Sequence, residues 1–589
     1  MEAQNLDTMR HSAAHVLAMA VLKIYPRTKL AIGPTIENGF YYDFDFSRPI
    51  SKDDLEKIEE EMVKIAKQQL PFKRKYLTRG EAQKLYRNNP YKLELIKEIE
   101  GDKLSFYETD DFSDLCRGPH VSDTGKIGVF KLERLAGAYW RGSEKNPMLT
   151  RIYGSAWRTK KELDDYLKRM EEALKRDHRK LGQELELFAF SKEIGPGLVL
   201  WLPKGTVIKE ELEKLGKEIE FRHGYQRVST PHITKAALYR LSGHLPYYQE
   251  VMYPPMKSED GEYYLKPMNC PHTHMIYKAK KHSYRELPIR YAEFGTVYRY
   301  EKRGELLGLL RVRGMTQNDA HIYATEDQAL EELIKVMKLH AFYYNLFGFK
   351  DYYVELALPD FKSRKDKYFD NSKAWEKSVN LLKAAAAALK VKTTEKVGGA
   401  AFYGPKFDFK IKSATGREFG ASTNQLDFGS GERFKLTYTE KDGSERTVPY
   451  IIHRAPLGSD ERFIGFLIEH FAGAFPVWLA PVQAVVIPVS DKVIRYTEKV
   501  EEGLRQGGIR AETDRRPGTM QAKIRTAQLQ KIPYMLIVGE KEMKGDTVSV
   551  RLRDEKDLGP QKLSLVKDRI FEISRKRTSD LWPDEEEKR

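Results

Sequence analysis

Apolar and polar positions change their period along the chain, and each change marks a block of a different kind. The first ~180 residues mix short strands with helices. Asp7 or Thr8 stands where it would cap a helix carrying His11 and His15, and Phe40 to Phe46 alternates as a strand does. Ser51 to Gln69 opens on the capping pattern Ser51-x-x-Asp54 and continues as an amphipathic, charged helix. The run KKELDDYLKRMEEALKRDHRKL, Lys160 to Leu181, predicts one long charged helix, a natural connector whose charges equally fit a solvated face. From about Gly182 to Trp478 the pattern turns to aromatic strands and arginine-bearing motifs. There FGTVYRYE (Phe294 to Glu301) and LLRVRGM (Leu309 to Met315) predict two strands around a polar loop, and Glu376 to Lys392 predicts a helix by propensity. After Ala480-Pro481, VQAVVIPV, a helical stretch and PYMLIVG alternate as strand, helix, strand, which predicts a small α/β domain with a mainly parallel sheet. No internal repeat is evident, and the charged tail Asp584 to Arg589 is the one low-complexity piece.

A chain of 589 residues is too long for a single core, so three or four domains are expected. With 41% hydrophobic and 32% charged residues it is globular rather than disordered. Lys+Arg minus Asp+Glu is 101 − 86 = +15, a field that favours a polyanion, with nucleic acid the leading candidate. Two cysteines far apart make no disulfide framework, which points to a reducing compartment and a cytoplasmic protein. The apolar run Ala13 to Leu22 is short, interrupted by His15 and without a basic leader, so it is no signal peptide. No segment approaches the ~20 apolar residues of a membrane span.

Both cysteines have histidines close by. Cys270 lies in KPMNCPHTH, ahead of His272 and His274, and Cys116 lies in SDLCRGPH, ahead of His120. His11 and His15 stand one helical turn apart on one face. With Cys116 and His120 they make a possible four-ligand zinc site; a structural histidine pair is the plainer alternative. Pro119 keeps the Cys116–His120 pair off a continuous helix, and Ser12 in place of glutamate rules out an HExxH metalloprotease. Arg299 and Arg311 suit a polyphosphate, because a guanidinium fork binds phosphate oxygens without losing charge. Arginines on an exposed hairpin are the competing explanation.

The chain resembles the class II aminoacyl-tRNA synthetases, and the threonyl-tRNA synthetase family among them, from about Arg10 to Leu558. FRHGYQRVSTP (Phe221 to Pro231) is similar to the first class II signature, which builds a dimer interface in that class. Arg299 and Glu301 match the second, whose arginine holds the ATP α-phosphate, and Gly458-Ser459-Asp460-Glu461-Arg462 matches the third, whose arginine meets the γ-phosphate. For the fold, the resemblance implies an α/β and α+β multidomain chain. An N-terminal α+β editing domain with a connecting helix (1–180) precedes an antiparallel-sheet catalytic domain (181–479) and an α/β anticodon-binding domain (480–589). The family often carries a small ubiquitin-like domain ahead of this point, which the present sequence is expected to lack.

For function, the resemblance implies a threonine–tRNA ligase. ATP, taken with Mg²⁺, activates threonine to threonyl-adenylate, and the acyl group passes to the 3′ end of tRNA(Thr). Cys270, His321 and His453 would hold one zinc per subunit that binds the threonine amino and hydroxyl groups and rejects valine. Gln317, Asp319 and Tyr403 would line the threonine site, Glu301, Arg311, Met315, Thr423, Gln425 and Ser459 would join the arginines around ATP, and Lys406, in FYGPK, would line the active site as a catalytic residue with Arg299 and Arg462. His244, in SGHLPYY, would be the base of the transfer step. His11, His15, Cys116 and His120, with Lys92 for substrate placement and Asp114 for water activation, would form an editing site that hydrolyses Ser-tRNA(Thr), metal-free by family analogy. Such a site is needed because one missing methyl is worth only ~1–3 kcal/mol. Glu542 and Arg551 would read anticodon bases. Three positions depart from the family: Met315 where an aromatic stacks on adenine, Gly420 where glutamine is common, and Pro517 where asparagine is common. The partners implied are tRNA(Thr), threonine, ATP and a second copy of the chain, with no membrane. Two other readings remain: an RNA-binding regulator that has lost catalysis, opposed by the retained Arg299, Arg462 and zinc ligands, and a zinc hydrolase built on the N-terminal cluster, which leaves the central signatures unexplained.

Overall fold

The computed structural model describes residues 5–143, 145–362, 367–413, 416 and 418–583, so the Asp584 to Arg589 tail lies outside the described residues. Two compact units result, Met1–Glu172 and Ala173–Arg589.

In the first unit the helix Leu6–Ile24 is capped by Asn5, whose side chain accepts the Asp7 N–H, ahead of the expected Asp7 or Thr8. It is buried almost throughout from Met9 to Val21, so both histidines sit on an enclosed helix rather than a surface one. An antiparallel sheet covers it: Lys29–Leu30, Gly39–Asp45, Met148–Trp157 and Val129–Tyr139 in spatial order. The helix Lys52–Lys67 forms as expected; Ser51 N–H donates to Asp54, and Leu55, Ile58, Met62 and Ile65 face the core. Each such side chain contributes roughly 1.5–3 kcal/mol on burial. A second antiparallel sheet, Lys73–Thr78, Lys103–Thr109 and Phe112–Leu115, carries Asp114 and leads into the loop of Cys116.

The run expected as one helix, Lys160 to Leu181, is two: Lys160–Lys175 and His178–Glu184. Asp177 separates them by leaving helical geometry (ψ 122°) and accepting the Arg179 N–H, an N-cap that starts the second helix.

The second unit is built on an eight-stranded sheet in the spatial order Gln226–Arg227, Ile289–Tyr298, Gly314–Ala324, Tyr450–Ala455, Glu418–Asp427, Lys406–Lys412, Tyr352–Leu358, Thr393–Val397. Its six central strands are antiparallel and only the edge pairs are parallel, as expected for this block. Helices Pro203–Arg222, Glu326–Phe347 and Asp460–Phe471 share one core with alternate strand residues such as Ala320, Ile322, Leu426 and Ile452. The residues between them therefore face the other side. The strands expected at Phe294–Glu301 and Leu309–Met315 are displaced. Arg299, Glu301 and Arg311 lie on the connection between Ile289–Tyr298 and Gly314–Ala324. Leu309 and Leu310 are both buried, which neighbours in a strand with one solvated face do not achieve and a turn does. The expected helix within Glu376 to Lys392 runs Ser372–Ala388.

The C-terminal sheet is mixed, not mainly parallel: Ala511–Thr513, Ala484–Pro488 and Tyr534–Val538 are parallel, whereas Thr547–Leu552 and Asp557–Lys562 are antiparallel. A parallel return needs a crossover of about a dozen residues or more, and the short helix Glu540–Gly545 does not span one.

Candidate active site

Period-two alternation puts Met315, Gln317, Asp319 and His321 on one face of the Gly314–Ala324 strand. Cross-strand register extends that face sideways: His321 opposes His453, His453 opposes Gln425, Gln425 opposes Lys406, and Thr423 opposes Asp408. A polar floor four strands wide results, under a cavity of about 440 Å³. Arg299 and Arg462 line the same cavity, as do Tyr403 and Ser459.

At the cavity's inner end, Cys270, His321 and His453 bring their ligand atoms within 4.8 Å of one another. Cys270 starts the helix Cys270–Lys278, and the two imidazole centroids are 4.6 Å apart. His321 Nε2 is buried and has no hydrogen-bond partner, a costly state for a polar atom unless it serves as a ligand. One sulfur and two imidazoles are a zinc donor set. Asp427, which sequence reasoning missed, hydrogen-bonds His453 Nε2 at 3.1 Å and orients the ring. His274 is diverted to the Tyr323 hydroxyl at 3.0 Å. His272 is buried and joins no ligand cluster among the described residues. Above the triad, Asn269 donates to Asp319 at 3.2 Å, and burial raises Asp319 to about 6.

The cationic groups of the cavity gather around Arg462. Arg462 sits in the first turn of the Asp460–Phe471 helix, capped by Ser459, and donates to the Gly420 carbonyl at 2.7 Å and the Leu310 carbonyl at 2.8 Å. Burial and then the neighbouring Arg299 and Arg311 lower it to about 10, so it stays charged and repelled, a state that an anion relieves. Arg311 does not point at open space: its guanidinium pairs with Glu301 at 2.8 Å and with Glu305. Tyr403 donates to Gln425 at 2.6 Å, Gln425 to Thr423 at 3.2 Å, and Lys406 pairs with Asp408 at 2.8 Å.

In the first unit His11, His15, Cys116 and His120 form a second cluster with ligand atoms within 4.8 Å. Cys116 Sγ lies 3.3 Å from His11 Nε2 and 3.3 Å from His120 Nε2, and Ser12 Oγ bonds His120 Nδ1 at 3.0 Å. Lys92 and Asp114 are a buried ion pair at 2.5 Å. Tyr42 and Tyr86 donate to the Asp114 oxygens at 2.5 and 3.1 Å. Asp114 thus sits in a fixed network with Lys92, Tyr42 and Tyr86 beside Cys116.

Comparison with known proteins decides the family. Residues 252–471 match the tRNA synthetase class II core domain (G, H, P, S and T). Residues 483–572 match the anticodon binding domain, and residues 104–153 the threonyl and alanyl tRNA synthetase second additional domain. A threonine–tRNA ligase of Thermus thermophilus is 52% identical over 94% of this chain and 86% of its own length. One of Rubrobacter xylanophilus is 50% identical with the same coverage. The chain belongs to the threonine–tRNA ligase family. Among solved structures, the RNA binding domain of threonyl-tRNA synthetase from Cryptosporidium parvum superposes with a TM-score of 0.64 at 35% identity, covering 69% of this chain and 99% of that one. A putative threonyl-tRNA synthetase from Aeropyrum pernix reaches 0.58 at 29% identity, covering 70% and 98%.

The family reaction is ATP-dependent aminoacylation of tRNA with threonine, and the second additional domain adds editing. His244 is buried; Ser242 bonds its Nδ1 at 2.8 Å, and its Nε2 lies 3.2 Å from Met268, which lines the cavity. Burial lowers it to about 3, so it is uncharged at neutral pH and a weak base. In the anticodon-binding domain the Glu542 carboxylate accepts from Gly539 N–H at 2.9 Å and Ser549 at 3.0 Å, while Arg551 keeps a buried Nε without a partner. Pro517 lies exposed ahead of the helix Met520–Leu529. Met315 is buried at the cavity wall with Val297 and Val312. Among the described residues no helix is long and apolar enough to cross a membrane.

Proposed function

We propose that the 440 Å³ cavity performs threonine activation and transfer, with ATP at the Arg299–Arg462 end and threonine at the Cys270–His321–His453 end. The observation that carries this reading is that a zinc donor set stands beside Gln317, Asp319 and two arginines in the lining of a single cavity, brought there by one sheet face, two helices and a connection. Cys270, His321 and His453 would hold zinc. When bound, that ion supplies an open coordination position that recognises the threonine hydroxyl and rejects valine. Gln317, Asp319 and Tyr403 orient the amino acid. Its carboxylate attacks the α-phosphorus of ATP, an oxygen–phosphorus bond forms, and pyrophosphate leaves with the bonding pair. Arg299 stabilises the charge that develops on the α-phosphate oxygens, and Arg462 holds the γ-phosphate. Glu301, Arg311, Met315, Thr423, Gln425 and Ser459 hold the nucleotide around them, and Lys406, in the cavity lining, serves as a catalytic residue. In the second step a 3′-terminal ribose hydroxyl of tRNA(Thr) attacks the acyl carbon and AMP leaves. His244, uncharged and beside the cavity, accepts the proton. Threonine-dependent ATP–pyrophosphate exchange tests the reading: protein carrying zinc must exchange, and silence would leave the RNA-binding alternative.

His11, His15, Cys116 and His120, with Lys92, form the editing site for Ser-tRNA(Thr). Cys116 bonds His11 and His120 while His15 Nδ1 is buried without a partner, and the metal-free form rests on family analogy. Glu542 and Arg551 contact the anticodon. The domains are taken as 1–180, 181–479 and 480–589, and two unpaired thiols fit a cytoplasmic location.

Two details give tests of their own. A Cβ at Gly420 meets nothing within 4 Å, so Gly420→Gln should fit and lower KM for ATP about threefold through one added contact. A raised KM would place this position away from the nucleotide. Phe221, in the last turn of the Pro203–Arg222 helix within the first signature, is 82% exposed and so open to packing against a second copy. It supports a homodimer through the first signature, and Phe221→Asp should yield monomers in sedimentation velocity; an unshifted dimer would exclude this interface.

A further inference from the structure

His178, Glu469 and Gly308 meet beneath the Leu307–Arg311 turn, and none of them lines the cavity. Asp177, His178 and Glu469 place their ligand atoms within 4.8 Å of one another, a spacing open to a metal ion. The hydrogen bonds decide otherwise. His178 Nδ1 bonds Glu469 Oε1 at 2.7 Å, and His178 Nε2 accepts the Leu309 N–H at 3.1 Å. Both ring nitrogens are spent, and an acceptor at Nε2 puts the proton on Nδ1, facing the carboxylate. The other oxygens near the ring are taken as well, since Asp177 accepts the Arg179 backbone N–H and its guanidinium.

The same helix holds this turn a second time. Arg462 and Glu469 lie two turns apart on one face of Asp460–Phe471. Arg462 donates directly to the Leu310 carbonyl at 2.8 Å, whereas Glu469 reaches the adjacent Leu309 N–H through the imidazole. Gly308 shows how closely the ring approaches. Its φ is +47°, and a Cβ there would stand 2.2 Å from His178 Nε2.

The geometry points to His178 as a positioning residue for ATP. It ties the backbone of the Leu307–Arg311 turn to the helix that carries Arg462. The Arg311–Glu301 pair beside Arg299 is thereby set before the nucleotide arrives, and less ordering is left for binding to impose. The inference rests on the reading of Arg299 and Arg462 as phosphate ligands.

The test compares His178→Ala with His178→Gln, whose amide oxygen can take the Leu309 N–H, in ATP–pyrophosphate exchange. Alanine should raise KM for ATP about tenfold with KM for threonine unchanged, as one lost hydrogen bond at a buried N–H implies, and glutamine should recover most of it. Hydrogen exchange measured without ATP should quicken in the peptide spanning the turn and not in the Asp460–Phe471 helix. Equal KM in all three proteins, or a loss shared by every kinetic constant with no rescue by glutamine, would overturn the proposal. Arg299→Ala serves as the control: if it leaves KM for ATP alone, the phosphate assignment fails; if it raises KM while His178→Ala does not, only the positioning role fails.

Discussion

Replacing His321 with alanine is expected to cost the protein its zinc and to lower threonine-dependent pyrophosphate exchange by roughly a thousandfold, while ATP still binds. His321 stands directly opposite His453 in an antiparallel register, so its ring is aimed by the sheet and not by a flexible loop. Its Nε2 is buried without a partner, and alanine leaves Cys270 and His453 as two donors where a site of this kind needs three. Elemental analysis should read about one zinc per wild-type chain and almost none in the variant. About two per wild-type chain would put the second ion on His11, His15, Cys116 and His120 and would end the metal-free view of that cluster. Thermal melting and KM for ATP separate a lost site from a lost fold, because neither Arg299 nor Arg462 is among the metal donors. A zinc-free variant that still exchanges within about tenfold of wild type would sink the assignment. Discrimination against valine should collapse with the metal, since only the coordinated hydroxyl distinguishes two side chains of nearly equal shape.

The proposed zinc ligands show where a sequence stops being readable. Alternation in MTQNDAHIY marks Gln317, Asp319 and His321 as one face, but nothing in it says that His453 stands across the sheet from His321. That fact belongs to strand register, which long-range packing decides. The near neighbours of Cys270 mislead for the same reason. His272 and His274 are adjacent in sequence, yet the helix Cys270–Lys278 turns His274 toward Tyr323, so the partners come from two other strands. Helices with strong local signals were legible, as Lys52–Lys67 shows with its Ser51 and Asp54 cap. Breaks that rest on one polar contact were not, since charges read continuously through Lys160–Leu181 while Asp177 alone interrupts them. The buried Lys92–Asp114 pair likewise offers no periodicity, because its members come from a helix and a strand joined only in the folded state.

Cys116→Ala and His11→Ala are each expected to slow Ser-tRNA(Thr) hydrolysis by about a hundredfold while threonylation stays within about twofold of wild type. The separation follows from architecture. Both residues belong to the Met1–Glu172 unit, with its own core around Val16, Phe40 and Met62, and the synthetic cavity is lined entirely by the other unit. Lys92 and Asp114 are poorer test positions, because removing one member of a buried pair costs ~3–5 kcal/mol and a stability loss would hide the chemistry. The cluster is also uncharged by construction. Burial pushes the Cys116 thiol up to about 11, and burial with His15 and His11 nearby pushes His120 down to about 2. The thiol is therefore protonated and the imidazole neutral throughout the range between about pH 6 and about pH 8, and the hydrolysis rate should be flat across it. A thiolate nucleophile would give a rate rising tenfold per pH unit over that range. That slope would make the Cys116 thiolate the nucleophile and end the view of an uncharged cluster, whereas wild-type hydrolysis by both variants would remove Cys116 and His11 from the editing site and leave the cluster as a folding element of its helix and loop.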